Sequence, residues 1–299
     1  MKSNFIKFKG VLFFIMKKVR IVADSTCDLS PELIAKYDIA INPLCIIMEE
    51  KSYFDGIDVK PEEIFAWADQ NKTTPKTSAV SIEKTQQILQ PFMDNGEDII
   101  FFGISSKMSG TCGIVKMVGA QNEYDRLFIV DSQNLSTGIG LQVIRAAELA
   151  EQGLGAEEIL ADIESNKANV RASFVIDTLT FLARGGRCSA LKAMMANTLR
   201  LHPMIVVNNG AMGVTKKFTG KMEVALNKYF ESLKADLANA DSKRVFITHS
   251  GCSEKIIQSM YDKLSELNYF EEILITQAGG VISSHCGPNT LGILFYVKP

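Results

Sequence analysis

The sequence has little of what catalytic and metal-binding signatures are made from. Histidine occurs three times in 299 residues, at 202, 249 and 285, too few for a multi-histidine metal centre. Six cysteines stand at 27, 45, 112, 188, 252 and 286 with no Cys-x-x-Cys pair. That argues against a disulfide scaffold or a thiolate metal site and leads us to expect reduced thiols in the cytoplasm. Lysine and arginine number 32 against 34 aspartate and glutamate, a net charge of −2. The basic excess of a general nucleic-acid binder is therefore missing. Near the start the longest apolar run covers residues 11–16, far short of the about 20 residues that cross a bilayer, so no stable membrane insertion is expected. The chain also lacks a Gly-x-Ser-x-Gly elbow, a Gly-x-x-x-x-Gly-Lys-Ser/Thr phosphate loop, a His-Glu-x-x-His pair, internal repeats and low-complexity stretches.

What remains is an ordinary globular composition, 46% hydrophobic and 22% charged, which excludes a mainly disordered chain. The length fits two domains or one large α/β unit. Short apolar runs alternate with amphipathic stretches. Strands are expected at 19–23, 39–48, 99–104 and 128–130. Helices are expected at 61–68, 81–93, 137–152 and 156–166, with Ser30 and Pro31 opening another. This alternation predicts an α/β fold with a mostly parallel N-terminal sheet carrying helices on both faces. Further strands are expected at 172–176, 204–207, 245–248, 273–275 and 291–297, with helices at 190–201, 224–237 and 254–267. Asn209-Gly210 between apolar runs signals a hairpin, so the C-terminal half should be a mixed sheet with helices. The organisation expected is an N-terminal extension over 1–15 with Met16 as the natural start, an α/β domain over 16–173 and a second α/β domain over 174–299.

The candidate site residues are hydroxyls at expected strand ends: Thr77-Ser78, the run Ser105 to Thr111, and Asp131-Ser132. In a parallel sheet the C-terminal strand ends line the ligand crevice, and hydroxyls with free N–H groups at a helix start suit a carboxylate or phosphate. Each serine alone reads more simply as a helix cap. His285, among glycines and hydroxyls, can hydrogen-bond a carboxylate and titrates near neutrality. Arg184-Gly185-Gly186-Arg187 forms a cationic turn suited to an anion or a partner. Gly138-Ile139-Gly140 imitates a dinucleotide loop but lacks the third glycine; close helix packing explains it better. No paired carboxylates or third orienting residue accompany His285, so binding accounts for these residues more economically than catalysis.

Taken in order, these segments resemble the DegV family. The chain start Val22-Ala23-Asp24-Ser25-Thr26-Cys27-Asp28-Leu29, the Thr77-Ser78 pair, Ser105-Ser106-Lys107-Met108-Ser109-Gly110-Thr111, Leu182 to Arg187, His202-Pro203 through Asn209-Gly210, and His285-Cys286-Gly287-Pro288 follow that family's motifs from about residue 18 to the C-terminus. The resemblance implies a two-domain α/β fold that binds one long-chain fatty acid of the palmitate, stearate or oleate class, with no cofactor, no metal and no catalysis of its own. It implies a carboxylate held by Thr77, Ser109 and His285, supported by Ser78, Ser105, Gly110, Thr111 and Gly287. It also implies that some members present the acid to an ATP-dependent fatty acid kinase. Here Arg184, Arg187, Lys216 and Lys217 are the candidate contacts to such a partner or to phosphate. Thr219 stands where kinase-coupled members carry arginine, Cys112 replaces a usual aromatic and Asn289 a common glycine. Two other readings compete with a lipid carrier. One is an enzyme acting on a small anionic substrate through His285 and nearby hydroxyls. The other is an adaptor holding lipid only as filler.

Overall fold

The computed structural model describes residues 7–8, 11–12, 18–192 and 201–298. Lys7–Phe8 (β1) and Val11–Leu12 (β2) pair as a short antiparallel ladder; the rest of the expected extension 1–15 lies outside the described residues.

The N-terminal half is built on four parallel strands. They are Val19–Asp24 (β3), Ala40–Asn42 (β4), Asp98–Gly103 (β8) and Leu127–Asp131 (β9), in the order β4-β3-β8-β9. Strand period two divides their side chains between two faces. Ile21, Ala23, Ile100 and Phe102 face one core, while Val22, Ile99 and Phe101 face another. Helices Ile82–Asp94 (α3) and Thr111–Gln121 (α4) cover the second face, and Thr137–Glu151 (α5) and Ala156–Asn166 (α6) the first. The expected helices on both faces are therefore present. Ser30 and Ser81 accept backbone N–H groups of Leu33 and Lys84 and so start Pro31–Lys36 (α1) and α3 where expected.

Two local departures follow from short segments with weak periodicity. The single strand region expected over 39–48 is split into β4 and Cys45–Met48 (β5). The latter leaves the parallel sheet and pairs antiparallel with Lys51–Phe54 (β6) and Lys76–Ser78 (β7). Helix Pro61–Asn71 (α2) connects the latter two.

The C-terminal half is a six-stranded mixed sheet. Its strands are Val170–Val175 (β10), Leu201–Asn208 (β11), Ala211–Thr219 (β12), Ala240–Ser250 (β13), Glu272–Gln277 (β14) and Thr290–Val297 (β15). Their order is β12-β11-β10-β15-β13-β14, antiparallel throughout except for β13 beside β14. Asn209 and Gly210 both take positive φ, 47° and 78°, the conformation a two-residue type I′ hairpin needs. Met222–Ala238 (α9) and Glu254–Ser265 (α10) cover one face over Tyr229, Phe230, Leu233 and Leu264. Helices Thr180–Gly185 (α7) and Ser189–Lys192 (α8) precede β11. Of the helix expected over 190–201, the first residues are in α8, Leu201 is in β11, and 193–200 lie outside the described residues. Residue 173 falls inside β10, and by sheet membership the chain changes sheets just before Val170, a few residues from the expected boundary.

The other face of the mixed sheet presents Ala172, Phe174, Ile205, Phe246 and Leu294 to the same core as the parallel sheet. Helix α5 lies between the two sheets, contacting β3, β10 and β15. This explains its ten buried residues. It also disposes of the dinucleotide-loop imitation. A Cβ on Gly140 would stand 2.9 Å from the Cys27 carbonyl, and one on Gly138 would collide with Asn134. Close packing demands these glycines. No helix among the described residues is long and apolar enough to cross a membrane.

Candidate functional site

The parallel sheet places its opening where topology predicts. The crossovers leave β3 in opposite directions, to β4 on one side and to β8 on the other. A crevice opens at the carboxyl ends of such strands. The loops after β3 and β8 sit there, and the short helix Gly280–Cys286 (α11) closes them from the C-terminal half. Between them is a narrow pocket, open in part to solvent, lined chiefly by Leu44, Ile104, Met108, Leu135, Leu182, Met212, Val281 and Ile282. Its polar lining comes from Thr77, Ser78, Ser109, Arg187 and His285.

Thr77 and His285 are 208 positions apart in sequence, and their Oγ1 and Nε2 atoms are 2.7 Å apart. Both were singled out in sequence, though in other settings. Thr77 belongs to strand β7, paired with Ile46, and not to a loop at a parallel strand end. His285 lies in the last turn of α11, a helix not among those expected from the sequence. The seven-residue length of α11 hides its periodicity. Burial pulls the His285 imidazole down to about 4, and the nearby Arg187 guanidinium adds to the drop, so the ring is neutral at pH 7. Its Nδ1 is buried without a hydrogen-bond partner. A Cβ on Gly185 would stand 2.2 Å from that atom. The Gly-Gly turn thus owes its first glycine to the imidazole packed against it.

Ser109 contributes from the loop after β8. Its hydroxyl is 3.0 Å from that of Thr111 and accepts the Thr111 N–H at the start of α4. Thr111 is buried behind it and does not line the cavity. Gly110 precedes α4 with open space beside it. Ser78 lines the mouth and is otherwise exposed, its hydroxyl donating to the Ala79 carbonyl.

Several expected neighbours serve the frame instead. The Ser105 hydroxyl donates to the Gly210 carbonyl at 2.7 Å and accepts the Lys107 N–H, tying the hairpin of the second half to the loop of the first. Gly287 has φ +75° and passes under Phe181, where a Cβ would stand 2.8 Å from the ring. Arg187 lines the cavity, with Nε 3.4 Å from the Met108 carbonyl. Arg184 is exposed and reaches the Lys72 carbonyl. Lys216 and Lys217 stand exposed on β12, opposite Met204 and Pro203, and do not line the cavity.

A second, smaller cavity adjoins the first. Leu135, Ile282 and Cys286 line both. Its other lining comes from Phe174, Ala278 and Leu294 together with Ser136, Thr248, Ser250 and Thr290. Those hydroxyls pair within the protein: Ser136 with Asp28, Thr248 with Thr137 and Thr276, Ser250 with Ser283, and Thr290 with the Cys286 carbonyl. The space they leave is therefore mostly apolar; His249 also lines it, and its Nδ1 is buried without a hydrogen-bond partner.

Sequence reading missed three acids beside this site. Asp24, Asp28 and Asp55 are buried together. Burial raises all three, Asp24 to about 6. Asp24 accepts the Ile104 N–H, and Asp28 and Asp55 accept the Gly279 and Gly280 N–H groups at the head of α11. The signal was present in Asp24-Ser25-Thr26-Cys27-Asp28, a polar run directly after a buried strand.

Comparison with known proteins now bears on this geometry. A family model described as "Uncharacterised protein, DegV family" matches residues 18–298. A DegV domain-containing protein of Clostridium perfringens is 30% identical over 285 residues, covering 95% of this chain and 99% of that one. A DegV family protein from Thermus thermophilus, described by its fatty acid binding, superposes with TM-score 0.86 at 29% identity, covering 94% of this chain and all of that one. A protein of Thermotoga maritima, whose structure is described as revealing a fatty acid binding function, gives TM-score 0.80 at 27% identity over 94% of this chain and all of that one. The match runs through both sheets and every segment that builds the cavity, and the chain belongs to the DegV family.

Proposed function

We propose that this protein binds a long-chain fatty acid, with the carboxylate at Thr77, Ser109 and His285 and the tail running past Leu135 and Ile282 into the second cavity. One observation carries the reading: the Thr77–His285 contact stands at the polar end of two adjoining cavities whose exposed lining is chiefly apolar. The fatty acid binding described for the Thermus and Thermotoga relatives supports it.

The chemistry is consistent. A neutral imidazole protonated on Nε2 donates to Thr77 Oγ1 and leaves the threonine hydroxyl hydrogen to turn toward a ligand carboxylate. Ser109 offers a second hydroxyl, and Arg187 supplies the positive charge that neutral His285 does not. Burying roughly 14 methylenes at about 0.8 kcal/mol each contributes about 11 kcal/mol as an upper figure. Chain ordering and lost translational freedom offset several kcal/mol of that. The tail thus supplies most of the affinity and the polar end selects the headgroup.

We read the protein as a carrier, without catalysis of its own, that presents the acid to a fatty acid kinase. Arg184 and Arg187, at or near the polar end, are the contacts best placed for a kinase or a phosphoryl group. The cations on β12 are less well placed. The enzyme reading has less support, since His285 has no acid partner and its Nδ1 has no hydrogen-bond partner of any kind.

Mass spectrometry of the protein as purified, before and after organic extraction, tests the proposal. A stoichiometric fatty acid is the expected result. A protein that arrives empty and also refuses added palmitate and oleate would refute it.

A further inference from the structure

We propose that Asp28 and Asp55 are positioning residues: from the N-terminal half they hold the head of α11 so that His285, at its other end, meets Thr77. The inference rests on the fatty-acid reading of the cavity and names what sets its headgroup end.

A seven-residue helix does not persist on its own, so something must hold α11. Its head is gripped twice. The Gly279 N–H donates to Asp28 Oδ1 at 2.8 Å and the Gly280 N–H to Asp55 Oδ1 at 2.7 Å. Each acid is itself oriented through its other oxygen, Asp28 by the Ser136 hydroxyl and Asp55 by the Ser25 hydroxyl. The glycines permit this approach. A Cβ on Gly279 would stand 3.2 Å from Asp28 Oδ1, and one on Gly280 3.0 Å from Asp55 Oδ1 and 2.6 Å from the Ile46 side chain.

The clamp is built at a cost. Asp28 and Ser136 both take positive φ, 50° and 53°, a conformation tolerable for aspartate and unusual for serine. Both carboxyls are buried, 5% and 2% exposed, which stabilises nothing unless the groups they accept from are held in return. What they hold lines the cavity. His285 lies five residues beyond Gly280, about 7.5 Å along the helix at about 1.5 Å per residue, so a displaced head displaces the imidazole. Val281, Ile282 and Cys286 ride on the same turns.

The test compares Asp28→Ala and Asp55→Ala with Asp55→Asn, which keeps the accepting oxygen. The first readout is the His285 imidazole titration by NMR in ligand-free protein, with Arg187 as the charge facing it. The native midpoint is expected near 4. The alanine variants should move it toward the ordinary 6.5 as the ring leaves its packed site, and the asparagine variant should stay native. The second readout is oleate affinity, expected to fall tenfold or more in the alanine variants alone. An unmoved His285 in both alanine variants overturns the proposal. So does an asparagine variant shifted as far as alanine, which would assign the effect to lost charge. If the alanine variants do not fold, Ser136→Ala, which removes only Asp28's orienting bond, must still raise the His285 midpoint, and its failure to do so also overturns the claim. Native protein that binds no oleate would refute the lipid reading, while the titration, read without lipid, still decides the clamp.

Discussion

Thr77→Val isolates the headgroup contact without changing side-chain volume much. The substitution leaves His285 Nε2 without its partner at 2.7 Å, and Nδ1 already lacks one. In the complex the carboxylate also loses the Thr77 hydroxyl, and a buried acceptor deprived of its donor costs about 1–3 kcal/mol. At about 1.4 kcal/mol per factor of ten, that corresponds to a loss of about 5- to 150-fold in affinity for an acid that needs the same hydroxyl. The tail contacts are untouched, so the loss should be confined to ligands with a carboxylate. The assay is a competition measurement of oleate against methyl oleate on native and variant protein. Oleate should weaken within that range and methyl oleate should change by less than twofold. An unchanged oleate affinity would remove Thr77 from the site. Equal losses for acid and ester would show that the substitution damages the cavity generally, and the headgroup assignment would fail with it.

Three other perturbations follow from the same geometry. Burial has lowered His285 from 6.5 to about 4, so its contribution to stability is present above 6.5 and is lost as pH falls through 4. Asp24, raised from 3.8 to about 6, acts the opposite way, stabilising below 3.8 and losing that contribution as pH rises through 6, with Asp28 and Asp55 acting in its direction. Urea unfolding at pH 4 and 7 should therefore show His285→Gln gaining about 3 kcal/mol more on acidification than native protein, at about 1.36 kcal/mol per unit; parallel pH profiles would contradict a buried neutral imidazole. Ile282→Trp, placed on the wall that both cavities share, should abolish oleate binding and spare decanoate; equal losses of the two would mean that the tail takes another path. Gly185→Ala would put a methyl 2.2 Å from His285 Nδ1, so the imidazole must leave Thr77. Oleate affinity should fall as far as in Thr77→Val, and the double variant should add little; full additivity would uncouple the two residues.

How much of this was legible in sequence depended on the range of the interactions involved. Where one short segment carries its own signal, reading succeeded: Ser30 and Ser81 cap their helices, and Asn209-Gly210 turns the hairpin. Where a segment was short or its pairing distant, reading failed. Strands β6 and β7 have four and three residues, too few for a period to show. Helix α11 shows no stripe because almost every residue of it is buried between two halves of the chain. Polar site residues fall in the same two groups. Thr77 and His285 were found as types in a recognisable order, but nothing local to either says that they touch across 208 positions. Ser105 looked like a ligand contact and is a tie to Gly210, because a serine hydroxyl near a crevice serves either purpose.

The tail path was illegible for a deeper reason. Leu135 and Ile282 belong to the core that fills the space between the two sheets and also line both cavities. An acyl chain is made of the same methylene and methyl groups as the side chains it would lie against. A sequence that selects apolar residues for packing and one that selects them for a lipid are therefore identical position by position. What separates them is where packing is left incomplete, and that is a property of the assembled sheets and of the helices packed between them. A tail-lining residue can be recognised only by an enlargement such as Ile282→Trp. In a filled core it would cost stability, about 1–3 kcal/mol for overpacking. In a lipid channel it should cost little stability in the empty protein and remove the long acid as a ligand. Measured together on one variant, unfolding free energy and oleate affinity distinguish the two kinds of apolar position that the sequence writes alike.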